Sequence, residues 1–193
     1  MTLRTWIGLA LLAVSGPLWA SEPSSVYLRC TMTVEQYTKA MAAPPGSALA
    51  YSDWQAWFDS QGPSGLGPVE LEWLRDYSAA PNLQALVQLW LGAGGTSRYD
   101  PQTGSWQFAL LEFTDNYGEM IQLLAPLRGV ASYCQPQSGS FLFIYSYFWG
   151  NGDNAYLTLD NPRSQFAPGP TPAQRSEADA ALKVLMESSA ERN

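Results

Sequence analysis

Paired carboxylates are the groups in this 193-residue chain that could do acid–base chemistry, because the sequence contains no histidine. Two carboxyl groups facing each other across a sugar can cleave a glycosidic bond. Three sets of neighbouring acidic residues are candidates for such a pair: Glu70 with Glu72, Asp53 with Asp59, and Glu112 with Asp115 or Glu119. Structural roles compete with this interpretation, since Glu70 fits a first helical turn and Glu119 fits a helix cap. A carboxylate-based glycan hydrolase is therefore the third of three functional hypotheses.

The absence of histidine excludes the Ser-His and Cys-His nucleophile pairs and the zinc sites that need imidazole. The sequence also contains no Gly-x-Ser-x-Gly elbow, no phosphate-binding Gly-x-x-x-x-Gly-Lys loop and no dinucleotide-binding glycine fingerprint. A Ser-Lys pair is hard to assemble, because the only lysines are Lys39 and Lys183, on predicted exposed helix faces. We therefore predict a non-enzymatic protein with no catalytic residue, no cofactor and no bound metal.

Cys30 and Cys134 are the only two cysteines of the chain. An exported protein with an even number of cysteines usually pairs them, and a metal site built on these two would lack a histidine to complete it. The sequence therefore predicts one disulfide, which would fasten the first strand to a segment of the second half.

The first twenty residues have the composition of a cleavable secretory signal. Arg4 supplies the positive charge, and residues 6–14 are apolar but too few to cross a bilayer as a helix. Ala20 is the small residue before the predicted mature start at Ser21. The other interpretation, a buried N-terminal helix, would need a polar face that this segment lacks. We predict a periplasmic or secreted protein with no stable membrane anchor in the mature chain.

The charge balance of the chain is acidic. Its formal net charge is −7, which becomes −8 when Arg4 is removed with the predicted signal. Neutralising the phosphates of a nucleic acid needs a basic face, and the sequence does not provide one. An acidic domain is steered instead toward basic surfaces. The predicted partner is therefore another protein, a toxin or enzyme with a basic surface, and nucleic acid is not expected to bind.

Periodicity and capping signals predict one strand and several helices in the first half of the chain. Thr33 and Gln36 have the spacing of a capping box that starts the first helix, and Pro44 ends it. The predicted elements are a strand at 26–32 and helices at 33–43, 51–59, 69–78 and 82–91.

The second half is predicted to contain more strand. Asn116 and Glu119 form a cap-like pair at the start of a helix, and Thr171 with Pro172 suits the start of another. The predicted elements are a hairpin at 98–113, a helix at 116–129, a short strand at 130–134, a hairpin at 141–159, an irregular proline-rich linker at 161–172 and a helix at 173–193.

These elements predict an α+β fold in which helices pack on one face of an antiparallel sheet. A split βαβ (ferredoxin-like) arrangement with a helical insertion is compatible with the pattern. We predict a single domain at 21–160, followed by the linker at 161–172 and a C-terminal helix at 173–193. That helix is expected either to dock weakly or to stay mobile, because its apolar stripe is modest.

An aromatic row marks the predicted strand that begins at Phe141. Because side chains alternate along a strand, five aromatic residues share one side: Phe141, Phe143, Tyr145, Tyr147 and Trp149. One interpretation is a central strand buried on both faces, and the other is an exposed platform that grips a partner. At the hairpin tip, Asn151, Asp153 and Asn154 fit a turn, and their oxygen atoms could also hold calcium.

The leading functional hypothesis is an exported, periplasmic, non-enzymatic domain that binds another protein. It would be an inhibitor or immunity protein that neutralises a toxin or hydrolase, using charge for steering and aromatic residues as anchors. The predicted partner-binding residues belong to two turns: Trp149, Asn151, Asp153 and Asn154 at one, and Tyr99 and Asp100 at the other. The alternative is a cell-wall or carbohydrate-binding module that stacks sugars on Trp54, Trp57 and the aromatic row.

Overall fold

A six-stranded antiparallel sheet forms the centre of the computed structural model, which describes residues 23–62, 68–70, 80–148 and 152–191. The strands are β1 (Ser24–Thr31), β2 (Thr96–Asp100), β3 (Ser105–Thr114), β4 (Phe141–Tyr145), β5 (Asp153–Asp160) and β6 (Arg163–Phe166). The α-helices among the described residues are α1 (Val34–Ala42), α2 (Trp54–Ser60), α3 (Leu83–Gly92), α4 (Tyr117–Gly129) and α5 (Pro172–Ala190). The predicted α+β class with an antiparallel sheet is confirmed. No described helix is long and apolar enough to cross a membrane.

β1 lies inside the sheet, whose strand order is β2-β3-β1-β4-β5-β6. Tyr27 lies opposite Ala109 of β3 on one side and opposite Phe143 of β4 on the other, and both pairings are antiparallel. In a split βαβ unit, two parallel strands joined through helices are separated in the sheet by an antiparallel strand. β1 and β2 are each antiparallel to β3, which lies between them, so they run parallel to each other, and α1 to α3 lie between them in the sequence. The strand order is therefore compatible with the predicted split βαβ arrangement.

Both faces of β1 are buried, because its side chains alternate between two apolar layers. Val26, Leu28 and Cys30 face the layer that α1 to α4 cover, whereas Tyr27 faces the layer that α5 covers. The predicted packing of helices on one face holds for α1 to α4. α5 covers the opposite face of the sheet.

Side-chain caps determine where α1 and α4 start. At α1 the predicted capping box is confirmed, because Thr33 Oγ1 accepts from the Gln36 backbone N–H and Gln36 Oε1 accepts from the Thr33 N–H. Asn116 caps α4 by accepting from the backbone N–H groups of Gly118 and Glu119. Each cap satisfies N–H groups that have no partner within the helix and stabilises it by about 1 kcal/mol.

The predicted disulfide is confirmed, and it joins β1 to the layer of helices above it. Cys30 and Cys134 are both fully buried, and their Cα atoms are 5.5 Å apart. Cys134 follows a 3-10 helix at Val130–Tyr133, so the prediction of a strand at 130–134 is wrong. The physical reason is that β1 already has a strand on each side, and this segment continues directly from α4 as a helical turn.

α5 packs on the sheet, contrary to the expectation of a weakly docked or mobile helix. It covers the aromatic row of β4, which would otherwise expose apolar rings to water. Three residues of α5 are buried in this contact: Ala178, Leu182 and Leu185.

The segment predicted as an irregular linker contains a strand. β6 pairs antiparallel with β5, and Phe166 lies opposite Leu157. The Phe166 ring also contacts the rings of Trp54 and Trp57, with centroid distances of 5.9 and 5.5 Å. Residues 163–166 therefore belong to the sheet. A strand of four residues within a proline-rich stretch is too short to give a periodic signal.

Alkaline pH is expected to weaken the contact between α5 and the sheet. Burial raises the pKa of Tyr27 and of Tyr145 above the ordinary value of 10, and the hydrogen bonds that they donate to Glu177 and Asp179 raise these pKa values further. The folded protein therefore holds both protons more tightly than the unfolded chain does. The stability they contribute is complete below pH 10 and falls by about 1.4 kcal/mol per pH unit for each tyrosine above it.

Urea unfolding between about pH 9 and pH 11 measures this dependence. The double variant Tyr27→Phe, Tyr145→Phe removes both titrating hydroxyl groups. Its free energy of unfolding should therefore fall less steeply above pH 10 than that of the parent. Equal slopes in the two proteins would contradict the prediction.

Candidate functional site

The predicted partner-binding residues that the structure describes lie at opposite ends of the sheet, with Tyr99 and Asp100 at one end and Asp153 and Asn154 at the other. Through the strand pairings, Asp100 is in register with Thr31 of β1, because both lie opposite Ser105. Asp153 is in register with Ser25 of β1, because both lie opposite Tyr145. Six residues of strand separate these two levels, which corresponds to about 20 Å along the strand direction. The structure therefore does not bring the two turns together into one contact surface.

Tyr99 and Asp100 stabilise the turn between β2 and β3. The Tyr99 ring stacks on Tyr37 with a centroid distance of 4.3 Å, and its hydroxyl donates to the Met32 carbonyl at 3.0 Å. Asp100 accepts a hydrogen bond from the Gln102 backbone N–H at 2.9 Å, which is the main reason that its pKa is lowered. Both side chains thus have structural partners within the fold.

Asp153 and Asn154 connect the start of β5 to α5, β1 and α2. Asp153 forms an ion pair with Arg175 of α5, with 2.5 Å between the charged atoms. Asn154 Nδ2 donates to Ser24 Oγ at 2.6 Å, and the Asn154 carbonyl accepts from Trp57 Nε1 at 2.8 Å. These contacts fix both residues on the wall of a cleft.

The cleft has a volume of about 720 Å³ and opens between α2 and the strands β5 and β6. This volume falls within the range of ligand-binding pockets. Asp153 and Asn154 line it together with the aromatic residues Trp57 and Phe166 and the exposed Gln165. The other two residues predicted at this hairpin lie outside the described residues: Trp149 and Asn151.

A buried arginine holds α2 beside the cleft. The side chain of Arg128 in α4 is 2% exposed, and its Nη1 and Nη2 donate to the two carboxylate oxygens of Asp53 at 2.7 and 2.8 Å. Its Nε and Nη2 also donate to the hydroxyl and the carbonyl of Ser164 in β6. The guanidinium lies over three rings, at 3.9, 4.7 and 5.0 Å from their centroids: Tyr51, Trp54 and Phe166.

This arginine centre was not predicted from the sequence, where Asp53 was a candidate acid paired with Asp59. The available signal was an arginine at the end of an apolar helix, since Arg128 follows Leu123, Leu124 and Leu127. An arginine on such a helix face is rarely buried unless it is paired, so an acidic partner elsewhere in the chain could have been anticipated.

The first three residues of the aromatic row belong to the core, as the central-strand interpretation predicts for them, whereas Tyr147 is only partly buried. β4 ends at Tyr145, and Phe141, Phe143 and Tyr145 are all buried beneath α5. Trp54 and Trp57, the other predicted sugar-stacking residues, are also buried. These five rings are therefore not available to a carbohydrate at the surface.

Two of the candidate carboxylate sets do not form a facing pair among the described residues. Asp53 is engaged by Arg128, whereas Asp59 accepts a hydrogen bond from Gln55 Nε2 at 2.8 Å. Glu72 lies outside the described residues. Within the described part of the chain, no three acidic or cysteine side chains converge in a way that could hold a metal ion.

The third carboxylate set is partly brought together. Glu112 and Glu119 line the same groove, and the Thr114 hydroxyl donates a short hydrogen bond to Glu119. Glu112 has a φ of 43°, close to a register shift where β3 pairs with the start of β1. A bulge of this kind redirects a side chain relative to the regular strand.

Comparison with known proteins does not assign a function to the cleft or the groove. Protein-family models, curated proteins and solved structures give no match to this chain. Its function is therefore inferred from the geometry and charge of the described residues.

Proposed function

We propose that the protein is an exported, periplasmic domain that binds another protein and has no catalytic activity. In this proposal it is an inhibitor or immunity protein that neutralises a toxin or hydrolase acting in the same compartment. The observation that carries the proposal is the cleft between α2 and β5–β6, because two predicted contact residues, Asp153 and Asn154, lie on its wall.

The composition of the cleft suits a protein partner. No basic side chain lies among its described lining residues, and its two carboxylates, Asp53 and Asp153, are held by Arg128 and Arg175. Of the three aromatic residues that line the cleft, Phe166 is only partly buried, and aromatic residues dominate the centres of many protein interfaces. The formal net charge, −7 for the whole chain and −8 without the predicted signal that contains Arg4, would add long-range attraction toward a partner with a basic surface.

The surroundings of the cleft favour a surface that is formed before the partner arrives. Arg128 fixes α2 to α4 and β6, and the ion pair between Asp153 and Arg175 fixes β5 to α5. A preorganised surface loses less conformational entropy on binding than a mobile one. This rigidity is consistent with a binding protein that acts through its surface.

Affinity capture from a periplasmic extract, with the exported protein as bait, tests the proposal. We expect recovery of one protein in a stoichiometric amount. Ala56 is exposed on α2 and lines the cleft, so Ala56→Arg would place a long cation there and weaken binding of that protein by about tenfold or more. Ala42→Arg adds the same charge at an exposed position of α1 outside the cleft, and it should bind like the parent.

Three results would contradict the proposal. The first is repeated failure to recover a stoichiometric protein. The second is equal loss of binding in Ala56→Arg and Ala42→Arg, which would show that added charge and not the cleft determines binding. The third is sedimentation of the bait with insoluble peptidoglycan in the absence of other protein, which would favour the carbohydrate-binding alternative.

A further inference from the structure

A groove between α3, the end of β3 and α4 combines an apolar floor with an acidic rim. Its volume is about 420 Å³. Leu89 of α3 is 67% exposed and is the most exposed of the large apolar side chains in the described part of the chain. Apolar surface of this kind, rimmed by polar residues, marks interaction sites in soluble proteins. The floor contains Leu86, Leu89, Trp90, Leu110, Phe113 and Leu123.

The edge of β3 borders this groove. Among the described strands, β2 pairs with β3 only as far as Ala109, which lies opposite Thr96. Beyond Ala109, Leu110 and Thr114 lie opposite Val26 and Ser24 of β1 on the other side, with a register shift between these two pairs. The positive φ of Glu112 distorts this edge, and a bulged edge resists the addition of another strand. The groove therefore favours contacts through side chains.

The rim of the groove is rich in hydrogen-bond acceptors. Glu112 and Glu119 are exposed, and no basic side chain lies among the described lining residues. Gln122 also lines the groove, and its side-chain oxygen Oε1 is buried without a hydrogen-bond partner in the described structure. A buried acceptor without a donor costs free energy, which an N–H group of a bound molecule would recover. The rim is thus suited to a cationic donor.

We infer that this groove binds an amphipathic basic segment of a partner protein. Apolar side chains of that segment pack on Leu89 and Trp90, and a lysine or arginine lies between Glu112 and Glu119. Charge complementarity selects this occupant, because the carboxylates would repel an acidic segment. The inference rests on the proposed protein-binding function and specifies the chemistry of the partner.

The groove and the cleft lie at the same end of the sheet and are joined by the start of α4. Asn154 on the cleft wall donates to Ser24, and Ser24 lies opposite Thr114 at the end of β3. Tyr117, the first residue of α4, contacts Trp57 of the cleft wall with a ring-centroid distance of 5.7 Å. The groove and the cleft are therefore linked through contacts at the end of β3 and the start of α4.

Fluorescence anisotropy with a labelled synthetic peptide of alternating leucine and lysine tests the groove directly. We expect the parent protein to bind this peptide about tenfold more tightly than a peptide with glutamate in place of lysine. Leu89→Ser should weaken binding of the lysine peptide about tenfold, and Glu112→Gln about fivefold.

Two control variants make the same substitutions, leucine to serine and glutamate to glutamine, at exposed positions outside the groove. Leu49→Ser alters another exposed leucine, which is 47% exposed and does not line the groove. Glu35→Gln removes one exposed negative charge in the first turn of α1. Each control should change the affinity for the lysine peptide by less than about twofold.

Several outcomes would overturn the inference. Equal affinity of the parent and Leu89→Ser, or equal affinity for the two peptides, would show that the groove does not select a basic amphipathic segment. No binding by the parent would also overturn it. A dimer of this chain that Leu89→Ser dissociates would assign the groove to a second copy.

Failure of the groove and failure of the proposed function give different results. If a captured periplasmic protein binds Leu89→Ser as tightly as the parent but binds Ala56→Arg more weakly, the groove assignment is wrong and the function stands. If the lysine peptide binds in the groove but no periplasmic protein is captured, the proposed function is wrong and the groove chemistry stands.

Discussion

Replacing both Cys30 and Cys134 by alanine is expected to lower the free energy of unfolding by about 4 kcal/mol. The two residues are 104 positions apart in the sequence, so the bond removes many conformations from the unfolded chain. Both side chains are also fully buried between β1 and the helical layer, so the smaller alanines would lose packing contacts there.

Urea unfolding followed by tryptophan fluorescence measures this change. Each single variant, Cys30→Ala or Cys134→Ala, should lose nearly as much stability as the double variant, because either removes the same bond. The slope of the free energy against urea should increase, since an unfolded chain without the bond exposes more surface. A loss below about 1 kcal/mol in the double variant would show that the disulfide is a minor support of the fold.

Asp53→Ala is expected to cost about 3 kcal/mol, even though the Asp53 side chain is itself 38% exposed. The reason is the burial of its partner. Without the carboxylate, the charge of Arg128 would stay buried with only the two oxygens of Ser164 as acceptors. Asp53 makes no side-chain cap hydrogen bond at the start of α2, so loss of a cap does not contribute to the effect.

Asp59→Ala is the matched control on the same helix. Asp59 is exposed and accepts a hydrogen bond from Gln55, so its loss should change the free energy of unfolding by less than about 0.5 kcal/mol. The double variant Asp53→Ala, Arg128→Met should recover part of the loss, because it removes the buried charge together with its partner. Equal losses in the free energy of unfolding for Asp53→Ala and Asp59→Ala would show that the ion pair with Arg128 does not hold α2.

Elements whose ends are marked by local side chains could be predicted from the sequence. Thr33 and Gln36 form the capping box at α1, and Thr171 and Gln174 form another at α5. Both depend on residues three positions apart, so no knowledge of the fold was needed. The disulfide could be predicted for a different reason, since two cysteines allow one pairing.

Elements that depend on distant partners could not be predicted in the same way. The apolar segment at Val130–Tyr133 suits a strand or a helix locally, and β1 offers it no free edge. The docking of α5 depends on Tyr27 and Tyr145, whose hydroxyls donate across the contact. A modest apolar stripe on α5 does not reveal these long-range hydrogen bonds.

The candidate site was predictable only in part. Asp153 and Asn154 were recognised as hairpin residues, but their position on the wall of a cleft depends on α2. Asp53 and Arg128 are 75 positions apart, and no local pattern links them. The redirection of Glu112 toward the groove depends on a bulge in the pairing of β3 with β1, which its own sequence does not mark.

Native mass spectrometry of the protein isolated from the cell envelope tests the central claim most directly, namely that this chain leaves the cytoplasm and acts by binding another protein. We predict a chain that begins at Ser21, contains the bond between Cys30 and Cys134, and forms a complex with one copy of a second exported protein. A chain that begins at Met1, carries two free thiols and stays unbound under native conditions would contradict the claim.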